Sequence, residues 1–410
     1  MSDVGVLRDR EGNPGFEAFQ LDPAALHLNH GSYGATPAET RIFQTRLNEE
    51  IAKNTLRWFD GLPFRMAQAR QELSEFLGAP EDEIAAVQNA SAAASSIFNS
   101  LNLRSGEEIV LTDHIYGAVR MGVERLARRC GAKIVTVPVP LLSGAEEVVE
   151  RVIGAVGDRT RLVLVDHISS ATARRFPVER ISAELAGSER VVLLVDGAHA
   201  PGLLPSPALR EPHVVWFGNL HKYACAPSAA AVLVSQQPLA DKWYPVIDSW
   251  GALDAFPERF DQQGSTNSTA FLSAPHAIST MESLFGWDRV REFSSALGSR
   301  IRDQILRHVR DDLYHLYDRT DSVLPVDRFI DSELPGGVSA LPLFPLPRGV
   351  AATPDSAREL KFFLRKKLGA EVGVSTWNGL GLIRFSPHAY NSWSEYEKFL
   401  GQLTETLART

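Results

Sequence analysis

Arg190-Val191-Val192-Leu193-Leu194-Val195-Asp196-Gly197-Ala198-His199 and, shortly after, His213-Val214-Val215-Trp216-Phe217-Gly218-Asn219-Leu220-His221-Lys222 decide how this chain folds. Each stretch opens on an unbroken apolar run and closes on glycine and polar residues. A run with no polar alternation reads as a strand covered on both faces, as in a parallel sheet. In an open α/β sheet, ligands sit in the crevice beyond the carboxyl ends of the strands. Asp196 at one strand end and Lys222 at the next can therefore meet one ligand.

Taken singly, Asp196 reads as a helix cap and Lys222 as a solvated surface lysine. Taken together, with His199 and His221 beside them, they match the needs of pyridoxal phosphate. Its aldehyde requires a lysine for the Schiff base, and its ring nitrogen requires a carboxylate to stay protonated.

Toward the N-terminus, residues 84–87 read as a short strand, and Gln88-Asn89-Ala90-Ser91 opens a small-residue helix to about Leu101. A helix N-terminus offers unpaired N–H groups and a positive dipole end, which suits a phosphate. Plain N-capping by Asn89 or Ser91 is the alternative. Residues 108–112 form the next strand, with Asp113-His114-Ile115-Tyr116-Gly117 at its exit, and a helix to about Arg129 follows. Strands over 133–139 and 161–165 continue the alternation, with a helix over about 145–156 between them. The second strand exits through Asp166-His167-Ile168-Ser169-Ser170-Ala171-Thr172. Strands alternating with helices from 84 to 235 predict a mostly parallel sheet with right-handed crossovers.

At the edges, residues 1 to about 20 read as a polar arm. Leu26 to Pro37 packs glycines and hydrogen-bonding side chains into a turn, and amphipathic helices follow over about 38–58 and 63–77. Residues 245–264 look irregular and lead into the hydroxyl-rich Ser265-Thr266-Asn267-Ser268-Thr269. A helix over about 275–285 is expected to carry into a smaller C-terminal domain. Near the end, Leu382-Ile383-Arg384-Phe385 sets an arginine in an apolar strand. Burying it unpaired is costly, and its planar fork suits a carboxylate.

Length leaves room for two domains, and 44% hydrophobic with 22% charged residues is ordinary for a globular protein. A formal charge of −8 argues against a nucleic-acid footprint. No apolar run reaches the roughly 18 residues of a membrane span, and the first residues lack the pattern of a secretion signal. Two cysteines, Cys130 and Cys225, fit a cytoplasmic protein and exclude a disulfide scaffold. No Gly-x-Gly-x-x-Gly follows a strand, and no set of residues reads as a metal site.

Val195-Asp196-Gly197-Ala198-His199-Ala200-Pro201-Gly202 with Gly218-Asn219-Leu220-His221-Lys222-Tyr223 resembles the class V aminotransferases among fold-type I PLP enzymes. The resemblance runs from about Leu26 to the end and looks nearest to the isopenicillin N epimerase-like branch, which includes cysteine-conjugate C–S lyases. It implies an α/β fold in which a large domain carries a mostly parallel seven-stranded sheet and a smaller C-terminal domain is α+β. The implied boundaries are an arm over 1–25, a large domain over 26–288 and a small domain over 289–410.

The same resemblance implies pyridoxal 5'-phosphate as cofactor, held by Ala90, Ser91, Tyr116, Ser170, Thr172, Asp196, His199, Asn219, His221, Lys222 and Ser265. Lys222, Asp196, Tyr116 and His199 are the implied catalytic set. Tyr116 would stack on the ring, and His199 would bond the phenolic oxygen. Asn29, His30, Ser32 and Arg384 would meet an amino-acid substrate, and Tyr390-Asn391 matches a signature after the arginine. Ser265 would reach across the interface of a homodimer. Thr266 and Asn267 depart from the Arg and Asp common in the epimerase branch. The loop before Arg384, residues 373–381, lacks the nucleophilic cysteine of the desulfurases. The implied reaction is β-elimination from a cysteine S-conjugate, with epimerisation, transamination and a decarboxylation-coupled variant as alternatives. A non-catalytic PLP-fold protein is the rival from another class.

Overall fold

The structure, a computed structural model, describes residues 5–318, 321, 323–331 and 334–409. Its centre is a seven-stranded sheet: β1 (Ile84–Val87), β2 (Glu108–Thr112), β3 (Lys133–Val137), β4 (Thr160–Asp166), β5 (Val192–Asp196), β6 (Val214–Asn219) and β7 (Ala231–Ser235). The spatial order is β1-β7-β6-β5-β4-β2-β3, with β7 antiparallel to both neighbours and the β2–β6 pairings parallel.

The unbroken apolar runs have the expected cause. Val163, Leu193 and Trp216 project into one buried cluster, while Leu162, Leu194 and Val215 project into another on the opposite face. Helices Leu62–Leu77 and Val178–Leu185 cover the first face; Ala90–Ser100 and Gly117–Cys130 cover the second. Two-sided burial leaves the strand ends as the places where polar groups can converge.

A second sheet pairs Gly373–Trp377, Leu380–Arg384 and Leu343–Pro345, all antiparallel. Helices Trp287–Arg307 and Trp393–Leu407 pack against one another beside it. The latter helix is opened by a reciprocal Ser392/Glu395 capping box. The helix Ala274–Leu284 does not continue into this region, as expected from sequence. Gly286, at φ 79°, breaks the path, and a separate helix starts at Trp287. Similarly, the stretch expected as one helix over 38–58 divides at Asn54, whose side chain accepts from the Arg57 N–H and caps a new helix, Thr55–Asp60.

Residues 1–4 of the expected polar arm lie outside the described residues. The remainder is docked: Leu7 and Phe19 are buried with Phe285, Trp287, Ala389 and Tyr390. Two apolar anchors in a polar stretch suffice to hold it.

Candidate active site

The carboxyl ends of β4, β5 and β6, the start of helix Ala90–Ser100 and the turn at Ser32-Tyr33 enclose a cavity of about 290 Å³. Asp196 ends β5 and Lys222 follows β6; both line the cavity, as do Ala90, Ser91, Tyr116, Ser170, His199, Asn219, His221 and Ser32. Two glycines allow the close packing. A side chain at Gly197 would run into the Trp216 indole, and one at Gly34 (φ 73°) would strike the His221 and Lys222 carbonyls.

His199 organises the proton-bearing groups. Its Nδ1–H donates to the Ile168 carbonyl (3.2 Å), leaving Nε2 to accept from Lys222 Nζ and Arg384 Nη1, each at 3.2 Å. Burial, then the Lys222 and Arg384 charges, hold the imidazole well below its usual range, so it is neutral. Burial and the Arg384 charge also pull Lys222 down to about 8, partly offset by Asp196 and Asp166. Asp196 is pushed up to about 6 by burial, against an Ala198 N–H bond at 3.0 Å and the Lys222 charge. Arg384 donates to the Ser170 carbonyl (2.6 Å) and to Asn29 Oδ1 (3.4 Å).

The helix start fits an anion. Asn219 Oδ1 accepts the Ala90 N–H at 2.9 Å and Asn89 Oδ1 the Ala92 N–H at 2.8 Å, while the exposed Ser91 between them lines the cavity. At the other side stands the half-exposed Tyr116 (46%), whose phenol burial raises above its usual range. Asp166 Oδ2 and Arg384 Nε are buried without a hydrogen-bond partner. An acid, an amine, a ring and a helix N-terminus around a cavity with orphaned polar atoms fit pyridoxal 5'-phosphate.

Several expected residues lie elsewhere. Thr172 does not line the cavity; its hydroxyl is committed to His114 Nδ1 (2.6 Å) and Ser169 (2.7 Å) in a buried chain. His30 is also behind the wall, donating from Nε2 to the Lys222 carbonyl (3.0 Å) and accepting at Nδ1 from the Tyr390 hydroxyl (3.2 Å). Ser265 is exposed and away from this cavity. Asn29 and Arg384 form a layer beneath the lining. Asn391 anchors the same loop through the His27 carbonyl (2.9 Å). Sequence reasoning missed Asp166, Tyr33, Ser228 and Ala229, all in the lining. Asp166 carried a signal: it ends its strand in the register at which Asp196 ends the next.

His30, Cys225 and His388 cluster with donor atoms within 4.8 Å. The two imidazoles stack with centroids 3.8 Å apart and planes 8° from parallel. In-plane lone pairs on parallel stacked rings do not converge on one ion, so this packing reads as structural.

The Aminotransferase class-V family model matches residues 56–312. Isopenicillin N epimerase of Amycolatopsis lactamdurans is 29% identical over 95% of this chain and 97% of its own. A probable chloroplastic L-cysteine desulfhydrase of Arabidopsis thaliana is 28% identical over 56% of this chain and 52% of its own. A mutant of the cystine C–S lyase, with glycine covalently linked to its PLP cofactor, superposes with a TM-score of 0.78 at 17% identity, covering 96% of this chain and 100% of that one. The matched span contains the cavity's acid, lysine and helix start, and the chain belongs to the class V aminotransferase family, with pyridoxal 5'-phosphate as its cofactor.

Proposed function

We propose that this enzyme cleaves the C–S bond of a cysteine S-conjugate by β-elimination. The observation carrying this reading is that the described lining residues offer one amine able to lose its proton near neutral pH, Lys222. Elimination needs one base at Cα; epimerisation needs two. His199 and His221 each spend a ring N–H on a backbone carbonyl, and the remaining proton carriers are buried acids and the phenols of Tyr33 and Tyr116.

In the bound state, pyridoxal 5'-phosphate supplies an aldehyde that captures amines and a ring that accepts the electron pair released at Cα. Ala90, Ser91, Asn219 and His221 would hold its phosphate, Asp196 its ring nitrogen, Tyr116 its face and His199 its phenolic oxygen. Arg384, braced by Asn29 and Ser170, would fix the substrate carboxylate, with Ser32 nearby. The free amine of Lys222 takes the Cα proton. The sulfur then leaves Cβ with the C–S electron pair, and the remaining fragment hydrolyses to pyruvate and ammonia.

A second reading is epimerisation, favoured by the epimerase relative that spans nearly the whole chain; Tyr33 would then be the second proton carrier. Incubating the holoenzyme with cysteine S-conjugates in D2O separates the two. Pyruvate and free thiol, absent with Lys222→Ala, are expected. Intact amino acid with deuterium at Cα and lost optical purity would install the epimerase instead.

Two organisational features belong to the same proposal. The chain divides into a large domain over 26–288 and a small one over 289–410, and it acts as a homodimer in which Ser265 completes the partner's phosphate site. Supporting the second, Trp250 and Leu253 are 91% and 100% exposed on the segment leading to Ser265. Apolar side chains so exposed ask for a covering surface.

A further inference from the structure

Asp166 ends β4 where Asp196 ends β5, and the two are register partners. Adjacent strands lie about 4.8 Å apart and paired residues project to the same side, so both carboxyls enter one cavity, which both line. Both are buried. They are not equivalent, because Asp196 accepts the Ala198 N–H while Asp166 Oδ2 has no partner.

Two carboxylates at such spacing in a buried site do not both ionise. Burial, then the Asp196 charge, hold the Asp166 proton well above the usual carboxylate range, against the Tyr116 backbone N–H and the Lys222 charge. Asp196 lies lower, at about 6. At neutral pH the pair keeps one proton, and Asp166 holds it. A neutral carboxylic acid is a donor, and the acceptor beside it is the Asp196 carboxylate.

This matters for the cofactor reading, on which the inference rests. A buried carboxylate is a strong base, and an unassisted Asp196 would draw the proton off the ring nitrogen it faces. We propose that Asp166 is a positioning residue for Asp196, donating its O–H to the neighbouring carboxylate, weakening it as a base and so leaving the ring nitrogen protonated. The arrangement makes the site's acid a pair rather than a single residue.

The test compares Asp166→Asn, which keeps a donor but cannot ionise, with Asp166→Leu, which has similar bulk and no donor. Full-length protein is reconstituted with pyridoxal 5'-phosphate. Cofactor affinity is read from quenching of tryptophan fluorescence, and the bound cofactor's visible absorption is titrated with pH. Thermal unfolding of each apoprotein controls for folding.

Asp166→Asn is expected to stay within about three-fold of wild-type affinity, with an overlaid titration. Asp166→Leu is expected to bind about ten-fold or more weakly, the scale of one charge-assisted hydrogen bond, with its titration moved to lower pH. Tighter binding by Asp166→Asn would overturn the proposal, because it would mean that Asp166 is ionised and repels Asp196. Wild-type behaviour of Asp166→Leu would overturn it as well. If the leucine variant does not fold, the asparagine titration decides: overlay supports the proposal and displacement overturns it. Unchanged affinity in Asp196→Ala would instead strike the underlying ring-nitrogen assignment.

Discussion

Lys222 is kept ready to react at a cost to stability. Its folded value of about 8 lies below the ordinary 10.5, through burial first and the Arg384 charge second. Between pH 8 and 10.5 the unfolded chain therefore binds more protons than the folded one, so this lysine's contribution to stability improves as pH rises across that window. Below it the penalty is fully present, about 3 kcal/mol for a shift of this size. Apo Lys222→Met should accordingly resist urea better than the apo wild type at pH 7, with the gap closing by about pH 10. An equal gap at both pH values would mean that packing, not charge, separates the two proteins.

Helix Ala90–Ser100 is where an element, rather than a residue, does the binding. Asn89 already caps it by accepting the Ala92 N–H at 2.8 Å, so Asn89→Ala should lower apoprotein stability by about 1 kcal/mol. A bound phosphate can take over the freed donor, and the penalty measured by urea unfolding should then shrink on loading. An equal penalty with and without cofactor would place the phosphate elsewhere. The same element shows why much of the fold was legible: Ile84–Val87, Glu108–Thr112 and the helix start at Ala90 all follow from local apolar runs and caps. The site was legible where chemistry sits at a strand end, as with Asp196 and Lys222. It was not where direction decides. Thr172 belongs to the same hydroxyl-rich exit as Ser170, yet one faces the His114 chain and the other the cavity. Nor does spacing reveal that His30 turns back to the lysine carbonyl.

For the whole molecule, the question is whether one chain makes a complete site. Ser265 is exposed and away from its own chain's cavity, at the end of a segment held to the body by the buried Arg70–Asp261 pair, with bonds of 2.5 and 2.6 Å. The anchor fixes the segment's position while Trp250 and Leu253 remain uncovered. In a two-fold dimer each surface meets its own copy, so a contribution from Ser265 to the partner's site implies two equivalent composite sites. Lys222→Ala and Ser265→Asp would each abolish or cripple every site in their own dimers, the second by setting a charge against the phosphate. Co-expressed, half of the dimers are hybrids, and each hybrid combines the intact Lys222 of one chain with the intact Ser265 of the other at one site of two. Activity should recover to about a quarter of the wild-type value. If Ser265 instead served its own chain's site, each hybrid would pair one Lys222→Ala site with one Ser265→Asp site. Activity would then stay at the average of the two parents, and the shared-site reading would be lost.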